Sequence, residues 1–337
     1  ATTGYRKVWN TLEPFALYAV IVFVLFAIVL AIVGKRDTRL DRPGFVERTL
    51  VYNLSSKIAA MPMMFTSVGI FIIATLWTVY HSFTNSRMLP KSEFIGLAQY
   101  ERLWSSDRWY MSIENLAIYG ACSLVFSLLI GFILAALLDQ KTRFENTFRT
   151  IFLYPFALSF IVTGLVWQWI LNPEYGVEKI VRSIGFESFV FNPLYDTDIV
   201  IYGILAAGLW QGTGFIMCLM LAGLRGVDQE IWKAARIDGI PMWKTYIQVV
   251  IPMMRPIFIT TLVIIAAGII KVYDLVVAQT SGGPGISSEV PAKYVYDYMF
   301  SAQNLGQGFA ASTMMLVSVL IVLIPFAYLQ FGRRKYD

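Results

Sequence analysis

The chain has 337 residues, 57% of them hydrophobic and only 15% charged, with a mean hydropathy of +0.62 and a formal net charge of +5. A soluble domain carries about a quarter of its residues charged, so this composition excludes an ordinary water-soluble globule and points to a membrane protein. Two cysteines, Cys122 and Cys218, lie in apolar runs without metal-ligand spacing and read as packing residues rather than a disulfide.

A lipid-spanning helix needs about 20 mostly apolar residues. Seven segments satisfy this, near 14–33, 61–83, 113–138, 148–171, 199–222, 257–278 and 309–331. The fold class expected is therefore an all-α polytopic membrane protein, with residues 1–60 as an extra helix plus linker and residues 61–337 as the main body. The first apolar run ends in Gly34-Lys35-Arg36 without a small-residue cleavage pattern, so it reads as a span or a peripheral helix rather than a cleavable leader.

Lys and Arg set the orientation. Loops 34–60, 139–149, 223–256 and the tail 332–337 hold 17 of them, against 9 on the alternate loops 1–13, 84–112, 172–198 and 279–308. The richer set is assigned to the cytoplasm, which puts the C-terminus inside and the N-terminus outside. Arg6 and Lys7 argue mildly against the latter. The outer loops are rich in Gly, Pro, Tyr and Trp, as an interfacial anchoring belt or a docking surface would be.

His81, the single histidine, stands near the outer end of the second span with no ligand-spaced partner, and reads as an interfacial polar residue. Ser123 and Ser318 lie in apolar runs with no partner base, so no enzyme site assembles. In the fifth span, "GLWQGTGFIMCLM" offers Trp210, Gln211 and Phe215, two aromatic faces and an amide able to hold a ligand's apolar face and its hydroxyls. Gly212 and Gly214 in the same stretch suit close helix approach. The sixth span, "AAGIIKVYDLVVAQT", places Lys271 and Asp274 three residues apart and so on adjacent turns of one helix face. Lys271 would sit about 10 Å deep at ~1.5 Å per residue. Charges at such depth are functional candidates, with a self-neutralised structural pair as the alternative. Gly268, in the same span, is grouped with them as a substrate-site candidate.

One polar connection stands apart from the apolar runs: "EIWKAARIDGIPMWKTYIQVVIP", residues 230–252. Asp228 suits an N-cap for a helix reaching about Asp238, Gly239 the left-handed position after it, and Pro241 the first turn of the next helix. Val227, Ile231, Ala234 and Ala235 would line one side. On physics alone this is a short helix on the cytoplasmic surface, lying on lipid or docking a partner.

This stretch resembles the cytoplasmic loop signature of ABC importer permeases, with Ala234, Ala235, Asp238, Gly239 and Pro252 in register. Val249 and Ile251 are conservative stand-ins, and Lys233 occupies the position where the family has Glu. "YHSFTN", "FIGLAQY", "FRTIFLYPFALSFIVTGLVWQWILNPEYG" and "TSGGP" are similar to stretches of maltose-type carbohydrate permeases, so the resemblance covers most of residues 61–331. It implies a type I ABC importer permease core in a prokaryotic inner membrane, moving a sugar by alternating access. Its coupling helix near 227–240 (Lys233, Ala234, Ala235, Asp238, Gly239) would dock on a cytoplasmic ATPase. It further implies a second, homologous permease, two ATPase subunits that bind ATP and Mg, and an external sugar-binding protein. No nucleic-acid partner and no cofactor of this chain's own are expected, and the chain has no G-x-x-x-x-G-K-[ST] phosphate loop.

By spacing from the coupling loop and from "TSGGP", Phe215 and Lys271 resemble sugar-contacting positions, although the family has an uncharged polar residue where Lys271 stands. The stretch 271–300 looks closest to permeases for glucose, mannose or α-glucosides, and Lys271 leaves an acidic saccharide as the second possibility. A rival from another class is an ion-coupled secondary transporter, which would explain the Lys–Asp pair as a relay but would show inverted repeats; none is visible.

Overall fold

A computed structural model of the protein describes residues 63, 65–91, 93–140, 143–270 and 272–331. The segment 14–33, the rest of the expected N-terminal element and Lys271 lie outside the described residues. The chain divides into two units between Tyr80 and His81. In the first, a π-helical turn Phe65–Ile70 runs into α1, Phe71–His81.

The second unit is helical throughout: α2 Ala98–Trp104, α3 Asp107–Asp139, α4 Glu145–Ala157, α5 Phe160–Ile170, α6 Val177–Ser183, α7 Val200–Arg225, α8 Gln229–Ile237, α9 Met242–Met253, α10 Arg255–Ile270, α11 Asp274–Thr280, α12 Pro291–Tyr296 and α13 Leu305–Phe331. By length and composition, two described helices reach across a membrane, α3 and α7. The number rises to four if each bent pair, α4 with α5 and α9 with α10, is one span.

Seven continuous spans are therefore not what the described residues show. The expected span 148–171 is an elbow, with α4 and α5 meeting at 101°. The expected span 257–278 stops at Ile270 and restarts at Asp274, with Val272 and Tyr273 outside helix. Hydropathy cannot report such breaks, because an apolar residue is equally apolar in a helix and in a bend. Where backbone leaves the helix at membrane depth, its freed groups need partners from the protein or from a water-lined cavity.

The centre of the unit is α7, which packs against α3, α4, α5, α10 and α11. Facing it, α3 lays down Ser123, Ser127, Gly131 and Ala135 at four-residue intervals. This small-residue seam lets two backbones approach closely where lipid supplies no hydrophobic drive. It assigns Ser123 to packing. A Cβ on Gly131 would lie 2.8 Å from Ile216 Cγ2.

Three buried clusters run along the unit. One joins Tyr119, the first half of α7, Ile269, Leu275 and Val276. A second joins Ala135, Leu138, the second half of α7, Val227, Val250 and Met254. The third, Leu103, Trp109, Tyr294, Ala310 and Ala311, caps the end where α3 begins. Cys122 and Cys218 are free thiols packed against the first and second clusters. His81 is buried within the protein, its ring 5.8 Å from that of Phe309 and its Nδ1 3.4 Å from Thr84 Oγ1.

Candidate functional site

Three places carry the polar chemistry. The first is the α8–α9 connection. Asp228 is in extended geometry and its carboxylate accepts the Glu230 N–H at 3.0 Å, satisfying one of the donors a helix start leaves open. At the other end, Ile240 N–H donates to Ala235 O at 2.9 Å and Gly239 N–H to Arg236 O at 3.2 Å, with Gly239 at φ +66°. This is a Schellman closure, and glycine adopts its left-handed residue without steric cost. Pro241 sits one position earlier than expected, as the residue that caps α9.

The inward side differs in one residue from expectation. Val227 and Ala235 are buried and Ile231 and Trp232 are half-buried on the second cluster, where Trp232 meets Tyr246 edge-on at 5.1 Å. Ala234, expected on that side, is exposed together with Lys233 and Asp238. Helical phase explains the shift: Trp232 takes the inward position beside Ala235, and Ala234 then points away. Lys233 Nζ pairs with Glu230 Oε1 at 2.8 Å across one turn. Both groups are exposed, so the pair adds little to stability. The outward face also bears Ile237, 86% exposed, with Trp243 exposed beyond the turn. Apolar side chains held out on a capped and anchored helix form a surface able to dock a partner.

The second place is the elbow between α4 and α5. Gln211 is 2% exposed and its Nε2 donates to Leu158 O at 2.7 Å, which satisfies a carbonyl that the break frees. Ser159 caps α5 by accepting the Val162 N–H at 3.2 Å. One turn along α7, Phe215 stacks on Phe156, with rings 4.6 Å apart and 9° from parallel. Between them Gly214 abuts the Phe152 backbone. Gln211, Gly214 and Phe215 thus share one face of α7 and together seat the elbow. Gly212 is different: a Cβ there meets nothing within 4 Å.

Trp210 lies on another face, edge-on to Trp167 at 6.2 Å. Gly268 borders open space, and Asp274 opens α11 in an exposed position. Val272 and Tyr273 lie outside helix just before Asp274, so α10 and α11 are not one continuous helix, and Lys271 itself lies outside the described residues. Among the described residues no hydrogen bond or ion pair ties Asp274 to Gln211, Trp210 or Phe215.

Sequence reasoning missed the third place. Arg108, in the first turn of α3, donates to both carboxylate oxygens of Glu289 at 2.9 and 3.0 Å and pairs with Asp297. Lys293 reaches Asp297 at 2.7 Å and Glu289 at 4.0 Å. Asn115 Nδ2 donates to Ser287 O at 2.8 Å and Glu289 O at 2.9 Å, so the loop after "TSGGP" is tied to α3 twice. Glu289 is 1% exposed; burial pushes its carboxyl above the ordinary range, and Arg108 and Lys293 pull it back only in part. The partners lie 181 residues apart. The only signal in the sequence was a carboxylate and a lysine four residues apart in a Gly- and Pro-rich loop. Removing Glu289 leaves Arg108 and Lys293 to share Asp297 alone, a surplus positive charge that costs about 3 kcal/mol. Glu289→Ala is therefore expected to lower the thermal midpoint of the purified protein by several degrees; an unchanged midpoint would show that the cluster holds nothing.

Comparison with known proteins adds four findings. A family model described as "Binding-protein-dependent transport system inner membrane component" matches residues 127–335. A probable ABC transporter permease of Pyrococcus horikoshii is 36% identical over 264 residues, 77% of this chain and 90% of that protein. A trehalose/maltose transport system permease of Thermococcus litoralis is 28% identical over 282 residues, 82% of this chain and 93% of that protein. Among solved structures, a chain from a bacterial ABC transporter involved in import of the acidic polysaccharide alginate superposes with a TM-score of 0.71 at 19% identity, over 87% of this chain and 99% of that one. At that identity the likeness speaks to the fold.

Proposed function

We propose, from the premise that this chain belongs to the family of binding-protein-dependent transport system inner membrane components, that it is the permease subunit of an ATP-driven importer for a mono- or oligosaccharide. The observation that carries this reading is the α8–α9 hairpin. It is capped at both ends, seated on its own core by Ile231, Trp232 and Ala235, and turns Lys233, Ala234 and Ile237 outward. A rigid element of this kind transmits the movement of a docked ATPase into α7 and α9, which flank it in the chain. ATP and Mg belong to that partner.

A glucose-containing sugar is favoured, in keeping with the relative named for trehalose and maltose. The substrate would meet the protein where α10 gives way to α11. Backbone outside helix at such depth is tolerated where it lines a cavity, and Gly268 borders open space just before the break. Lys271 and Asp274 would donate to and accept from sugar hydroxyls, with Trp210, Gln211 and Phe215 contributing from α7. An external binding protein would deliver the sugar, and the α8 face would be cytoplasmic.

Purification in mild detergent from native membranes, with every co-purifying chain identified by mass, tests the reading. It expects an ATPase with a phosphate-loop motif and a second permease. Isolation of this chain alone, under conditions that keep other complexes intact, would favour an ion-coupled carrier. Lys271→Met is expected to abolish or retune uptake while leaving assembly and basal ATP hydrolysis in place. Unchanged uptake kinetics would remove Lys271 from the substrate site.

A further inference from the structure

Between the end of α5, the segment around α6 and the start of α7 lies a cavity of about 490 Å³, and none of its lining residues is charged. Trp167, Leu171, Phe191, Ile199, Tyr202 and Ala206 form much of its wall. Water would find few partners there: the Trp167 indole N–H, buried, has no hydrogen-bond acceptor. The cavity opens at the start of α7, whereas α8 follows its end. The 26 residues of α7 separate the two by roughly 39 Å at ~1.5 Å per residue. The cavity therefore faces the leaflet opposite the α8 side, at the depth where helix ends meet headgroups.

Its surroundings match that setting. Tyr175, Tyr195 and Tyr202 are exposed around it, as in an interfacial belt. Ile180, Ile184, Phe186 and Val190 project outward from α6 and the loop that follows, which suits a segment resting in the headgroup boundary. The chain leading into the lining residue Ile199 is acidic. Asp198 directly precedes the lining residue Ile199, and its N–H donates to Asp196 Oδ1 at 2.9 Å. Both aspartates are exposed, and neither forms an ion pair among the described residues. Segment 172–198 holds five carboxylates against Lys179 and Arg182, and Arg182 is spent on Glu178 at 2.6 Å.

We propose that this cavity is a lipid site: one acyl chain of an amine-bearing phospholipid fills it, with the headgroup ammonium against Asp196 and Asp198. An apolar, uncharged wall selects the tail, and the acidic rim discriminates against an anionic headgroup. The bound lipid would take up the surface that α5 and α7 leave open at their outer ends.

The full chain, in whatever assembly it purifies with, would be placed in nanodiscs containing trace phosphatidylethanolamine or phosphatidylglycerol with a photoreactive group midway along one acyl chain. Labelled peptides would then be located by mass. Labelling is expected at Trp167, Phe191 or Tyr202, with the ethanolamine probe favoured about fivefold, the scale of one unscreened charge contact at a membrane surface. Ala206→Phe, which puts a ring into the cavity from its α7 wall, should displace the chain and abolish both labels. Asp196→Asn with Asp198→Asn, exposed changes that remove the charge while the new amide oxygen at position 196 can still accept the residue-198 N–H, should keep the label and erase the headgroup preference. Equal labelling by both probes in the native chain would overturn the proposal, as would labelling that survives Ala206→Phe. So would a protein crosslink in place of lipid, which would put residues 14–33 or another subunit in the cavity.

Discussion

Gly214→Ala is expected to lower the thermal midpoint of the purified permease by about 6 to 12 °C, and to cut transport with it. The reason is local and steric. A Cβ on Gly214 would lie 1.8 Å from Phe152 O, 2.5 Å from Phe152 C and 3.1 Å from Leu153 Cα, all of them backbone atoms. A flexible side chain could swing aside, but a helix backbone can yield only by moving α4 away from α7. That shift would also disturb the Gln211 bond to Leu158 O and the Phe156–Phe215 stack, since all three residues of α7 face the same elbow. Overpacking of this kind costs about 3 kcal/mol at its upper range, and each kcal/mol moves the midpoint of a chain this size by about 2–4 °C. Gly212→Ala is the matched control. It meets nothing within 4 Å and should be neutral or slightly stabilising through helix propensity. If the two variants melt together, α7 is not seated as described.

Ile237→Asp should act on the opposite quantity, leaving the fold intact while reducing uptake at least about tenfold. The side chain is 86% exposed, so the substitution removes no internal contact. A charge introduced into a docked apolar patch loses on the order of 1.4 kcal/mol or more of association, which is tenfold in affinity. Gly239→Asp probes the tip of the same hairpin. Open space surrounds the site, but its φ of +66° costs any side chain about 1–2 kcal/mol, so a loss of uptake there reports docking only where the thermal midpoint is kept. Thermal midpoint and uptake, measured on the same preparations, separate the two effects. Uptake unchanged in both variants would mean that the hairpin does not couple to an ATPase.

The α8 hairpin was legible in the chain because each of its determinants is local. An Asp N-cap, a Gly terminator and a Pro restart act within a few residues of one another, and all three appear where they stand in the structure, to within one position. Which way the helix faces was less legible. Ala234 and Trp232 exchanged roles because helical phase depends on what the rest of the chain offers as a seat. The long apolar helices α3 and α7 were equally readable, since lipid-facing composition and length are properties of the segment itself.

The elbow at Leu158–Ser159 and the interruption between Ile270 and Asp274 were not readable in this way. Hydropathy is blind to them, and what stabilises a break is a partner from elsewhere, such as Gln211 reaching Leu158 O. The Arg108–Glu289–Lys293–Asp297 cluster is the extreme case, since no rule of spacing joins an arginine to a carboxylate 181 residues on. By itself the sequence determined that this is an apolar helical protein with one capped polar hairpin, through interactions that act over one or two turns. Where the helices break, which face each presents, and which distant charges meet were decided by tertiary structure. Buried backbone groups and buried charges must find partners wherever the fold brings them within reach.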